Sequence, residues 1–102
     1  MDMKIDQVKN ACIGKWAIGI VGNLQFQALV FPKHAVHKSF ELGSSRISKL
    51  WIATMDDPAG NRVEVFNFDR GHDVAAKTKD AKQAVRLLCK SVAKMVYETP
   101  KA

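Results

Sequence analysis

KWAIGIVGNLQFQALVF, residues 15–31, carries the signature of a β-hairpin. Two runs rich in β-branched and aromatic residues meet at Gly22-Asn23, a pair that tolerates the positive φ of a tight hairpin turn. With a two-residue loop, Ala17, Gly19 and Val21 share one face with Leu24, Phe26, Ala28 and Val30. Trp16, Ile18 and Ile20 then share the other with Gln25, Gln27, Leu29 and Phe31. A loop of odd length would reverse the assignment for one strand. Pro32, which cannot donate to a ladder, ends the second run.

Outward from this hairpin, KHAVHKSFELGSS (33–45) is a connection longer than most. RISKLWIAT (46–54) and RVEVFNF (62–68) read as two more strands around the turn MDDPAGN. Around that turn Trp51, Phe66 and Phe68 can share a face with Lys49 and Glu64, which leaves Leu50, Ile52, Val63 and Val65 for the other. From about Thr78 to Glu98, Ala81, Ala84, Val85, Leu88, Val92, Met95 and Val96 follow the spacing of one helix face. Thr78 is placed to cap that helix and Asp80 to suit its dipole. Residues 1–14 fit either a short helix or an extra edge strand.

The expectation is a single α+β domain over residues 1–102: a four-stranded antiparallel sheet of two hairpins, with one C-terminal amphipathic helix packed on one face. The face with Ala17 and Gly19 suits the helix, because small side chains allow a close approach. Trp16, Ile18, Leu29, Trp51, Phe66 and Phe68 are left for the second face. Monomers seldom leave so much apolar surface wet. A second copy of the chain is therefore the expected cover, with the N-terminal segment or a ligand as alternatives.

The chain of 102 residues is 47% hydrophobic and 25% charged, as in ordinary globular proteins. Its apolar runs are too short to span a bilayer, and its first residues lack the apolar core of a signal peptide. A cytoplasmic protein without a membrane partner is expected, with Cys12 and Cys89 as reduced thiols. Net charge is +6. Between Lys77 and Glu98 stand six cations and two acids, so the helical segment carries +4 of it. Lys79, Lys82, Arg86, Lys90 and Lys94 form one stripe opposite the apolar face, a surface able to follow phosphates as well as to face solvent.

Two places concentrate chemistry. FNFDRGHD (66–73) gathers Asp69, Arg70, His72 and Asp73 where the last expected strand hands over to the helix. Acid, base and cation together support proton transfer, and they equally make an ordinary turn. His34 and His37 form an HxxH pair that could ligate a metal if a third ligand folded back. No nucleophile elbow, phosphate loop or dinucleotide fingerprint is present, and no cofactor is implied.

GSSRISKLWI, with LQFQALVF before it and NFDRGHD after it, resembles a group of short uncharacterised bacterial and mobile-element proteins. These carry a Gly-Arg-Ile-Ser-Lys-Leu-Trp-Ile type segment in a β-rich domain. The similarity covers about residues 16–73, with Ser44-Ser45 inserted between Gly43 and Arg46, and it implies a fold without an activity. Strands followed by one basic helix are also similar in topology to small single-stranded-DNA-binding coactivators. KTKDAKQAV resembles the end of double-stranded-RNA-binding domains. The reading is a small non-enzymatic binding or assembly module, homodimeric, with nucleic acid or another protein as partner. The alternative is a small enzyme or metal protein centred on residues 69–73 and the histidine loop.

Overall fold

A computed structural model describes residues 1–69 and 72–98, with residues 72–74 described as backbone only. The chain forms an antiparallel meander. Its strands are β1 (Met3–Asn10), β2 (Lys15–Val21), β3 (Leu24–Val30), β4 (Ile47–Thr54), β5 (Glu64–Asp69) and β6 (His72–Val74), hydrogen-bonded in that order. The helix α1 (Lys79–Tyr97) follows. The α+β class with one C-terminal helix on an antiparallel sheet holds. The sheet, however, has five full strands and a three-residue sixth rather than four.

The extra strands have simple causes. β1 is mostly exposed, so MKIDQVKN carries little apolar periodicity; of its side chains, Met3 and Ile5 pack against the core. β6 is the return arm of a hairpin that begins with FNFD. Residues 66–69 and 72–73 thus belong to paired strands, not to a handover into the helix.

The central hairpin turns at Gly22, whose φ of +61° suits the first central position of a type II′ turn. Lys15 opposes Val30 and Val21 opposes Leu24, so the loop has two residues and the expected faces stand. Ala17, Val21, Leu24, Phe26, Ala28 and Val30 are buried with Ala84, Leu88 and Val92 of α1. Thr78 Oγ1 accepts from the Ala81 N–H at 3.1 Å and starts the helix as expected. Met95, expected on the buried stripe, is exposed, and Ala93 is buried.

Gly19 has a different reason from the expected one. A Cβ there would run into the Lys4 carbonyl oxygen of β1, beside the bulge between Ile5 and Gln7. The missing side chain makes room for an edge strand before it makes room for the helix.

Two further bulges decide which residues face α1. Leu29 opposes Lys49 but Val30 opposes Ile47, so Ser48 is an extra residue, and Ile47 faces the core together with Leu50 and Ile52. This explains the mixed parity of RISKLWIA. In the next ladder Ala53 opposes Glu64 but Ile52 opposes Phe66, which makes Val65 the extra residue. Without it Trp51 would face Phe66; with it Trp51 faces Asn67. Phe66 and Phe68 therefore lie on the core face beside Ile52 and Leu50, both buried, and not on the second face with Trp51. Their alternation with Asn67 and Asp69 is the sequence signal for that placement.

Candidate binding face

The ladders define three rows on the face away from α1. Lys9, Trp16, Leu29, Lys49 and Asp69 form the first. Gln7, Ile18, Gln27, Trp51 and Asn67 form the second, and Lys4, Ile20, Gln25, Ala53 and Glu64 the third. β1 extends the sheet at its edge instead of folding across this face, which removes the N-terminal segment as its cover. Trp16, Ile18, Ile20 and Trp51 are accordingly half-buried, while Leu29, between Trp16 and Lys49, is buried.

Trp16 and Trp51 line one cleft of about 170 Å³ together with Gln27, Lys49, Asn67 and Asp69. Lys49 Nζ stands 3.8 Å from Asp69 Oδ1. The Arg62 guanidinium lies 5.9 Å from the Trp51 ring centre and is held by Asp56, whose carboxylate also accepts from Gln25 Nε2 at 2.8 Å. Asn67 donates to Glu64. The cleft therefore offers indole faces, side-chain amides and a lysine–aspartate pair side by side.

The other expected sites fall elsewhere. Lys79, Lys82, Arg86, Lys90 and Lys94 are exposed along the outer side of α1, across the sheet from the tryptophans. Asp69 lines the cleft; Arg70 lies outside the described residues, as do the side chains of His72 and Asp73. His34 and His37 line a separate cavity. His34 Nδ1 is 2.9 Å from Glu41 Oε2, and the His37 ring packs edge-on against Phe40 at 5.5 Å. Among the described residues no three histidines, cysteines or carboxylates form a group able to hold a metal. No helix there is long and apolar enough to cross a membrane.

Sequence reading missed the loop's own framework. The Glu41 carboxylate accepts from His34, from the Ala35 N–H at 2.7 Å and from the Arg46 N–H. Burial pushes its pKa up, but these donors outweigh burial and hold it below its ordinary value. Arg46, at φ +65°, donates to the Pro32 carbonyl at 3.0 Å, pairs with Glu98 and lies over the Tyr97 ring. The one acid in HAVHKSFELGSSR was the available signal. Cys89 is held as a thiol, its pKa raised by burial against a smaller opposing effect of Ser45, whereas Cys12 is exposed.

An antiparallel meander backed by one helix, with its other face open and lined by two indoles, is the class these features define. Residues 15–93, from β2 through most of α1, match a family described as a domain of unknown function (DUF7678), and the chain belongs to that family. The resemblance to an uncharacterised family holds to this extent; the match carries nothing on a bacterial or mobile-element origin. No curated protein and no solved structure matches the chain.

Proposed function

We propose that this protein is a non-enzymatic binding module that holds single-stranded nucleic acid on the open face of its sheet. The observation that carries the reading is the cleft shared by Trp16 and Trp51, which lies on the face that α1 leaves open. Every base has a π-face, and stacking on an indole is worth roughly 1–3 kcal/mol per base. The Gln27 and Asn67 amides beside the indoles offer donors and acceptors to base edges. Three lysines, Lys4, Lys9 and Lys49, stand in the same rows against two acids, Glu64 and Asp69, in a chain of net charge +6.

Self-association through this face is the second reading, favoured by β2, whose open-side residues Trp16, Ile18 and Ile20 are all apolar. Against a dry interface, each apolar residue of the face has a polar neighbour in its own row. The basic stripe of α1 is a second phosphate surface on the opposite side.

Fluorescence anisotropy with short labelled single-stranded DNA and RNA at low salt separates the readings. Binding should weaken with salt, and by roughly fivefold to a hundredfold in Trp51→Ala, the range one lost stacking contact implies. Loss only in Arg86→Glu with Lys90→Glu would move the site to α1. No binding at low salt, with a dimer by light scattering that Trp51→Glu converts to a folded monomer, would replace the proposal by self-association.

A further inference from the structure

A larger cavity, about 420 Å³, lies in the connection between β3 and β4, away from the tryptophan cleft. Ile13, Phe31, Val36 and Phe40 supply most of its apolar wall. Ile13, Val36 and Phe40 are uncovered in the protein, Val36 being 95% exposed. Ser48, the bulge residue of β4, lines the same cavity. It is 2% exposed, and its hydroxyl is the one buried side-chain polar atom without a hydrogen-bond partner among the described residues. Buried hydroxyls are nearly always paired, so an unpaired one beside an apolar cavity points to a ligand. The other polar residues of its lining are basic, Lys33, His34 and His37, and among the described residues no carboxylate lines it. The nearby acid, Glu41, is occupied by the N–H groups of the loop.

We propose that this cavity binds a small apolar molecule ending in a carboxylate. The apolar body lies against Phe31, Val36 and Phe40, and the carboxylate accepts the Ser48 O–H in a cavity whose other polar lining is basic.

Titration calorimetry with octanoate and with 1-octanol, below aggregation, tests this. Octanoate should bind saturably and more tightly than octanol. Ser48→Ala should weaken octanoate roughly tenfold, as expected for a lost hydrogen bond to a charged group, without lowering the melting temperature, since it deletes an unpaired group. Val36→Asp, at an exposed position, should weaken octanoate while the protein melts as the parent does. Absence of saturable octanoate binding, equal binding of octanol, or binding indifferent to both substitutions would overturn the proposal.

Discussion

On the helix side of the sheet the rows are apolar from strand to strand: Ala17, Ala28, Leu50 and Phe68 in one, Phe26, Ile52 and Phe66 in the next. On the open side Trp16 and Leu29 stand between lysines, and Ile18, Gln27, Trp51 and Asn67 alternate. Both faces are made by the same strands, so the difference lies in the side chains and in three bulges. The helix side is continuous because α1 must dock there without burying unpaired polar groups. The open side interrupts its apolar residues, as a surface does that stays wet until a partly polar partner arrives.

Truncating an aromatic on each side of the sheet should separate the two faces most clearly. Phe66→Ala should cost about 3–5 kcal/mol, and Leu88→Ala in the same core, on α1, about 2–5 kcal/mol, because both are buried and leave cavities. Trp51→Ala, although it removes a larger side chain, should cost much less, since that indole is only half-buried. Thermal or urea denaturation measures all three. A Trp51 loss equal to that of Phe66 would mean that the open face is part of the folding core.

The central turn, the hairpin register and the limits of the helix were legible because each rests on local chemistry: Gly22 for the turn, Thr78 for the cap, the spacing of Ala81, Ala84 and Leu88 for the buried stripe. Trp16, Ile18, Leu29 and Trp51 were assigned to the second face for the same reason. Phe66 and Phe68 were not, because parity counted across a turn fails at the first inserted residue, here Val65. Ser48 and Glu41 were invisible for another reason. One is defined by what its hydroxyl lacks and the other by donors that the loop folds around it, and neither property is periodic.

Gly19→Ala tests the edge of both faces at once. The added methyl would meet backbone rather than a yielding side chain, so β1 must shift, at about 1–3 kcal/mol for such overpacking. Amide exchange should show β1 losing protection while β3, β4 and α1 keep theirs. Since β1 brings Lys4 and Lys9 to the open face, oligonucleotide binding should also weaken. An unchanged melting temperature with β1 still protected would mean that the strand accommodates the methyl by sliding.

The smallest effect expected is in the loop, which belongs to neither face. Glu41 has a folded pKa below its ordinary value of 4.5, so its contribution to stability is complete above that pH. As the pH falls through the lower folded value, the carboxylate gains a proton, its three N–H donors lose their charged acceptor, and the contribution disappears. Glu41→Gln keeps one carbonyl acceptor but removes the charge. It should cost about 1 kcal/mol at neutral pH, the scale of a weakened hydrogen-bond set, and should flatten the acid side of the stability profile. The loss should concentrate in the amide protection of Ala35 and Arg46, whose N–H groups the carboxylate binds. If the variant and the parent lose stability in parallel below pH 4.5, Glu41 is not the group that titrates, and the loop is held instead by Arg46 on Pro32, Tyr97 and Glu98.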